Sequence, residues 1–572
     1  MAAVYPAGRR AAAHRRLGGP GRVGSRERPG GGVRQGAFAT DTRQFFLAAS
    51  VIVAGSVGSK ILGFVRESCL AAVFGASAAT DAYLVASTVP NLMVGVVVGA
   101  LATTFIPIYT RQRQQDEAGA ARLAGDMFLM LALVGAAAGA AVMVWARPLC
   151  RFLAPDFPAA TFELAARTTL YLAPLPVLLG VNALATSLLQ SHYRFANPAL
   201  AGICQNVALI AAILTLGRWL GITGVAAGLV LGTAAQWVAL APGVRGIPVR
   251  APGLPWRNRE AVRALSLALP LLAGGMVGQV APVVQRVLAS GLPEGSLSAL
   301  NYATLLNGLP TGLTVAALGT VLYPAFSTHT ARGDLDGVRA LLARGINLSV
   351  LVMLPVTVGS LILSTPLVRL AFERGAFDAW DTAATSTAFW FLAWSMVAVV
   401  CSDLWRRAFY ALEDTTYPTL VGVLGMAVSV LLSFVLVRPL AHAGLAAAVT
   451  VTNLVTAALL LVRLRRRLGH LGARQMLDRV AKAGLASLVM GAVVWGADRL
   501  SSGWLAARGV PTGSALVEAA RLGLLVAGAA LVYLAILWLL GVPEMRQAVG
   551  LGRRSAAAAW RRTRAILHRA RA

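Results

Sequence analysis

Long apolar stretches separated by short polar loops run along most of the 572-residue chain. A transmembrane helix needs roughly 20 mostly apolar residues, and these stretches are too long and too rich in Ala and Leu for strands. The pattern therefore predicts an all-α polytopic membrane protein. The fourteen predicted spans are 44–65, 81–107, 123–146, 163–189, 198–217, 221–241, 262–289, 297–325, 343–364, 382–405, 418–437, 442–462, 481–497 and 518–541.

The charges predict how these spans are oriented. The chain has 51 Lys and Arg against 23 Asp and Glu, a net charge of +28, but only 13% of its residues are charged and 57% are hydrophobic. This composition excludes a soluble enzyme, a secreted disulfide scaffold and a disordered chain. Because Lys and Arg concentrate in alternate loops, the positive-inside rule predicts that both termini are cytoplasmic.

The sequence contains no recognisable motif for catalysis or for cofactor binding. The four cysteines form no CxxC pair, the six histidines show no metal-ligand spacing, and no phosphate-binding loop or nucleophile elbow occurs. We therefore expect a transporter rather than an enzyme, with no catalytic residue, no metal and no cofactor. The basic tails show no organised nucleic-acid-binding fold, so no nucleic-acid partner is expected.

An internal repeat predicts the domain organisation. Residues 100–107 (ALATTFIP) resemble residues 317–324 (ALGTVLYP), 217 positions later. Arg122 and Arg339, which follow the two segments, are also 217 positions apart. Both copies end an even-numbered span, so they run in the same direction, which is typical of transporters with a parallel pseudo-two-fold repeat. We predict a disordered basic tail (1–42), an N-lobe of six helices (43–242), a basic cytoplasmic linker (243–261), a C-lobe of six helices (262–464), a further helix pair (465–541) and a basic tail (542–572).

A series of motifs in order resembles the MurJ/MviN family. They are SKILGFVR (59–66), VFGA (73–76), ATDAY (79–83), PNL (90–92), RFANPA (194–199), LPTG (309–312), ALGT (317–320), FERGAF (372–377), FYALEDTTYP (409–418) and HAGL (442–445). The resemblance runs from about residue 43 to about residue 545. This family contains the lipid II flippases of the multidrug/oligosaccharidyl-lipid/polysaccharide exporter (MOP) superfamily.

The resemblance implies a function in peptidoglycan biosynthesis, and so in cell wall biogenesis and cell shape. The protein would lie in the bacterial inner membrane and move lipid II, an undecaprenyl-diphosphate-linked precursor, from the inner to the outer leaflet by alternating access. Its partners would be the lipid-linked glycan, the bilayer and cell-wall synthesis or division proteins, and it would act as a monomer. Membrane potential or a monovalent cation gradient could drive the cycle.

Two departures from the family pattern keep other cargoes open. The family usually has arginine just after PNL in the second helix, where this chain has Val94 and Gly95. It usually has an Asp-Arg pair in the eighth helix, where this chain has Thr304 and Leu305. The alternative is a flippase for another polyprenyl-linked precursor, of exopolysaccharide, teichoic acid or O-antigen. A drug or cation antiporter and a non-transporting scaffold are further alternatives.

Intramembrane polar residues are the candidate site residues, because charge inside a bilayer is functional by default. The predicted substrate-binding residues are Lys60, Arg66, Asp81, Asn91 and Arg286, and Gln279, Gln285, Asn301 and Asn307 are candidates for sugar contacts. Predicted gating or hinge positions are Pro107, Gly308, Pro310, Gly312 and Pro324, and Asp403 is a candidate for ion coupling.

Several of these residues also have a purely structural interpretation. Arg66 could pair with Glu67 at a helix end, and a kink in the glycine-rich first helix could bring it towards Lys60. Asp81 is either a counter-ion or gate, or a cap of the second helix. Asp403 could pair with Arg406 or Arg407 at helical spacing.

Overall fold

The computed structural model describes residues 37–251, 253–469, 473–507 and 515–543, and no strand occurs in these ranges. Most of each predicted tail lies outside them: only residues 37–42, at the start of the first helix, and residues 542–543 are described. The helices are α1 (Ala37–Phe74), α2 (Ala78–Ala86), α3 (Thr88–Gln115), α4 (Glu117–Leu153), α5 (Ala159–Tyr171), α6 (Leu175–Ser191), α7 (Ala196–Leu214), α8 (Leu216–Leu220), α9 (Ile222–Val244), α10 (Arg259–Val277), α11 (Val280–Ser290), α12 (Ser296–Ala331), α13 (Leu335–Ile362), α14 (Ser364–Phe372), α15 (Ala379–Ala393), α16 (Met396–Ala411), α17 (Thr416–Leu468), α18 (Ala473–Ala507) and α19 (Ala515–Leu539).

Every predicted span coincides with one of these helices or with a consecutive pair. Eight helices of the described ranges are long and apolar enough to cross a membrane, or up to ten if each of two bent pairs counts as one span. Part of the difference from fourteen lies in α17, whose 53 residues contain two predicted spans joined at Ala441, where the backbone leaves the helical region (φ 49°, ψ −130°). The full count of fourteen stays a prediction.

The internal repeat is visible in the backbone. The pair α5–α6 bends by 44° and the corresponding pair α15–α16 by 46°. A residue with positive φ follows each pair two positions after its last helical residue: Tyr193 follows α6, and Glu413 follows α16. Such residues are uncommon outside glycine, so their occurrence at matching places supports a common origin of the two copies.

The two copies differ at one place that concerns the site. The first copy breaks at Ser87 between α2 and α3, whereas the corresponding stretch of the second copy is the single helix α12. At the break, the hydroxyls of Ser87 and Thr88 both donate to the carbonyl of Leu84, which offers the backbone an alternative to helical bonding. Pro90 follows and has no N–H to donate, while the second copy has Asn307 there.

The apolar interior of the described residues divides into separate clusters. One cluster is centred on α3, α4 and α6 and includes Phe105, Tyr109 and Leu184, all fully buried. Another is centred on α12, α13 and α16 and includes Phe326 and Phe409. The helix pair α18–α19 packs on this second cluster, where the Tyr533 hydroxyl donates to the Leu351 carbonyl at 2.8 Å.

Candidate functional site

A cavity of about 520 Å³ lies among α11, α12, α16 and α17. Two arginines are among the residues that line it, Arg286 from α11 and Arg406 from α16. Among the described residues, neither arginine has an ion-pair or hydrogen-bond partner, and no acidic residue lines the cavity. Guanidinium groups in a low-dielectric interior strongly favour an anion, and their planar donors suit carboxylate or phosphate oxygens.

Amide and hydroxyl groups line the rest of the polar wall. Gln285 donates to the Ser429 hydroxyl at 3.4 Å, which joins α11 to α17. The side-chain oxygen of Asn307 is buried without a hydrogen-bond partner in the described part of the chain. Such an acceptor suits the hydroxyl of a sugar. The other polar residues of the wall are Asn301, Thr304, Thr452, Asn453 and Thr456.

Arg406 was missed as a candidate of its own in the sequence, because it follows the predicted span 382–405 and reads as part of a cytoplasmic loop. In the structure α16 continues to Ala411. Arg407 pairs with Asp403, Nε to Oδ2 at 2.6 Å, and packs over Gly319. Since successive side chains of a helix differ by about 100°, Arg406 is left to face the cavity. The four-residue spacing of Asp403 and Arg407 was the sequence signal that could have assigned Arg407 to the ion pair and left Arg406 as a candidate.

Thr304, Gly308 and Gly312 share one face of α12. Thr304 lines the cavity at one end of this face, and the exposed Lys60 lies beside Gly312 at the other end. A Cβ placed on Gly312 would lie 3.6 Å from the Lys60 Nζ, and a Cβ on Gly308 would meet nothing within 4 Å. At 100° per residue, Thr304, Gly308 and Gly312 fall within about 80° of arc, and the first and last are about 12 Å apart along the axis. Lys60 and Arg286 therefore lie at opposite ends of an open face.

Arg66 does not converge with Lys60. It pairs with Glu67 at 2.5 Å and donates to the Asn206 side-chain oxygen at 3.2 Å. The kink that could have brought them together does not occur: α1 is one helix from Ala37 to Phe74, so the two cations point about 120° apart. Of the glycines in this helix, Gly55 serves close packing: a Cβ there would lie 2.7 Å from the Cβ of Ala199.

Asp81 is neither a cap of its own helix nor an exposed counter-ion. It is 4% exposed, and its carboxylate accepts hydrogen bonds from the backbone N–H groups of Gly295 and Ser298, each at 2.8 Å, and from the Ser298 hydroxyl. These donors form the first turn of α12, so Asp81 caps that helix from a distance. Gly295 cannot supply a cap, because a Cβ there would lie 2.1 Å from the Ala76 carbonyl oxygen. Asp81 thus connects the first copy of the repeat to the second. Its partner Ser298 is the equivalent position of the second copy, 217 residues later.

A second connection lies beside the first. The Ala76 N–H donates to the carboxylate of Asp381 at 2.9 Å, and the Ala376 N–H donates to the Ala72 carbonyl at 2.9 Å. Gly375, with φ of +64°, allows this close approach, since a Cβ there would lie 2.1 Å from the Ala72 oxygen. The FERGAF motif therefore holds the end of α1. We call the two connections together the Asp81–Asp381 latch.

The remaining candidates have separate places. Asn91 lies in α3, but its side chain is outside the described residues, as is that of Val94. Pro107 lies within α3, and Pro310 and Pro324 lie within α12, with no non-helical residue among them. Their predicted hinge role, like the ion-coupling role of Asp403, stays a prediction.

Comparison with known proteins agrees with this architecture. The family described as lipid II flippase MurJ matches residues 70–512. The lipid II flippase MurJ of Burkholderia cenocepacia is 29% identical over 504 residues, covering 84% of this chain and 95% of that protein. A probable lipid II flippase MurJ of Rhizobium tropici is 30% identical over 508 residues, covering 85% and 92%.

Solved structures show the same fold. A lipid II flippase MurJ in an inward closed conformation matches with a TM-score of 0.71 and 21% identity, covering 85% of this chain and 97% of that one. An inward-facing multidrug resistance MATE family transporter of the MOP superfamily matches with a TM-score of 0.62 and 12% identity, covering 74% and 99%. The matched proteins are flippases and transporters, which agrees with the predicted class.

Proposed function

Because the chain belongs to the lipid II flippase MurJ family, we propose that it moves lipid II from the inner to the outer leaflet of the bacterial inner membrane. The observation that carries this proposal is the family match across residues 70–512, which includes both copies of the repeat. The head group of such a lipid must cross roughly 30 Å of hydrocarbon, where charge is penalised by several kcal/mol. Cations for the diphosphate and amides for the sugars lower that barrier.

Two features support a place for each part of the cargo. The cavity beside Arg286 offers cations and amides to the polar head. A groove of about 380 Å³ between α1, α12 and α14 is lined mainly by apolar side chains, among them Phe64, Leu306 and Leu367, and suits an isoprenoid tail. A lipid-linked glycan needs both kinds of surface at once.

The latch supports alternating access. With both termini cytoplasmic, as the loop charges predict, the end of α1, the start of α12 and the FERGAF motif lie on the outer side of the membrane. The Asp81–Asp381 latch then closes the outer side between the two predicted lobes, and the head group enters from the cytoplasm. Opening of the latch releases it outwards. We further propose that the protein acts as a monomer, with membrane potential or a monovalent cation gradient as the driving force.

A second cargo class is favoured by one observation. Val94, Gly95, Thr304 and Leu305 stand where the family usually has charge, so an exopolysaccharide, teichoic acid or O-antigen precursor is the alternative cargo. A cation antiporter fits less well, because two arginines and no acid line the cavity in the described part of the chain. A scaffold that binds cell-wall synthesis or division proteins would bind without turnover.

The test is a flipping assay with defined lipids. Purified protein is reconstituted into liposomes with lipid II, or with an undecaprenyl-diphosphate-linked exopolysaccharide or O-antigen donor, and outer-leaflet donor is measured over time. We expect lipid II to be flipped fastest, and expression in a MurJ-depleted strain to restore growth. Flipping of only the other donors would support the second cargo class. Lack of flipping with every donor, by protein that is correctly folded, would contradict both.

A further inference from the structure

We propose that the diphosphate of the cargo binds in the cavity lined by Arg286 and Arg406, in the second copy of the repeat. This inference rests on the proposed function for the identity of the cargo. Its geometric basis is independent: arginines from two different helices line one cavity of about 520 Å³, with no acid in its described lining.

The charge balance of the described helices distinguishes these two arginines from Arg66 and Arg407. Arg66 is neutralised by Glu67, and Arg407 by Asp403. Arg286 and Arg406 have no such partner among the described residues, although both are only partly exposed. A partly buried, unpaired cation is unfavourable unless an anion enters, and two of them facing one space hold a dianion better than a monoanion.

The lining of the cavity indicates what is attached to the anion. Gln285, Asn301, Asn307 and Asn453 offer amide donors and acceptors on three helices, α11, α12 and α17. Amide groups bind sugar hydroxyls without adding charge. The side-chain oxygen of Asn307 is buried and has no partner within the described ranges, so a hydroxyl donor would satisfy it. The site therefore suits a glycosyl diphosphate, with its phosphates on the arginines and its sugar on the amides.

The route to this site follows the open face of α12. Lys60 lies beside Gly312 at one end, and Thr304 lines the cavity at the other. Gly308, between them, leaves the face free of side chains. A diphosphate attracted by Lys60 thus moves about 12 Å along α12 to reach the Thr304 side of the cavity, which Arg286 also lines.

The binding test uses farnesyl diphosphate as a probe and farnesol as its uncharged counterpart. Affinity is measured in detergent for the wild type, Arg286→Gln, Arg406→Gln and the double variant, each checked for folding by size exclusion and thermal unfolding. We expect each single substitution to weaken probe binding about 10- to 100-fold, since hydrogen bonds between charged groups are worth about 1.5–3 kcal/mol. Farnesol affinity should not change. The exposed Arg167→Gln is the charge-matched control and should bind like the wild type.

Two further measurements keep the inference falsifiable. Arg286→Lys with Arg406→Lys keeps both charges but loses the planar fork, so its probe affinity should fall between those of the wild type and the double Gln variant. Unchanged affinity in the folded double Gln variant would overturn the site, as would a wild type that does not bind the probe. A wild type that binds the probe through these arginines but does not flip lipid II would retain the site and overturn the proposed function.

Discussion

Removal of the Asp81 carboxylate should open the predicted outer side of the protein. In the structure this carboxylate accepts three hydrogen bonds from the start of α12, two of them from backbone N–H groups at 2.8 Å. Asp81→Ala leaves these buried donors without their acceptor and removes a negative charge from a helix N-terminus. Hydrogen bonds to charged groups are worth about 1.5–3 kcal/mol each, and a carboxylate at a helix N-terminus about 0.3–1 kcal/mol.

These contributions do not simply add, because the buried carboxylate is itself desolvated when the latch is closed. Breaking a buried charged contact by removing one partner typically costs about 3–5 kcal/mol. Taking about 3 kcal/mol as the loss to the latched state, the ratio of latched to open molecules falls about 100-fold. The Asp381 half of the latch remains, so we expect a mixed population and not complete opening.

The assay is a distance measurement by pulsed electron paramagnetic resonance in a background without the four native cysteines. Spin labels at the exposed Ala160 and Ala379 report the separation of the two copies on the predicted outer side. We expect one short distance in the wild type and an added longer distance in Asp81→Ala. Asp126→Ala is the matched control, since that carboxylate is similarly buried and accepts bonds from Gly253 at 2.8 Å and Asn258 at 2.7 Å, but within the first copy and its linker. If Asp81→Ala and the wild type give the same distances, the latch reasoning is wrong.

Three other predictions follow from single side chains. Gly308→Leu should retain or raise thermal stability, because its Cβ meets nothing within 4 Å and leucine is favoured over glycine in a helix by up to about 1 kcal/mol, yet it should slow flipping in proteoliposomes by filling the α12 face. Gly359→Leu, which also has open space but lies on α13, should flip normally, and normal flipping by Gly308→Leu would exclude this route. Glu67→Gln should lower stability by about 1–2 kcal/mol by leaving Arg66 unpaired, and a double-mutant cycle with Arg66→Gln that shows no coupling would contradict this. Asp334 caps α13 through the Gly337 N–H, and this bond, helped by His329, holds the pKa of Asp334 below its ordinary value of 3.8, so its stabilising effect is complete above pH 3.8 and is lost as the pH falls through the lowered pKa. Thermal unfolding between pH 6 and pH 3 should show a smaller acid loss for Asp334→Asn than for the wild type, and equal losses would contradict the assignment.

Local sequence patterns were sufficient for the class of protein and most of its helices. Hydropathy is a sum over neighbouring residues, so each predicted span coincided with a helix or a helix pair. The repeat was readable because its motifs are short and contiguous, as in the matched segments that end at Pro107 and Pro324. Helix ends were less predictable: the Ser87 break depends on hydroxyl bonds to Leu84, and the continuity of α17 depends on a single residue, Ala441.

The sequence by itself determined the membrane class, the resemblance to a flippase family and the residues able to carry charge within the membrane. Tertiary structure decided which of those charges are free. Arg66 and Arg407 each have an acidic partner close in sequence, while Arg286 and Arg406 are 120 positions apart and share a cavity only because α11 and α16 both border it. Asp81 likewise acquires its role from a helix start more than two hundred residues away. Coulomb and hydrogen-bond energies depend on distance in space, which spacing along the chain does not specify beyond one or two helical turns.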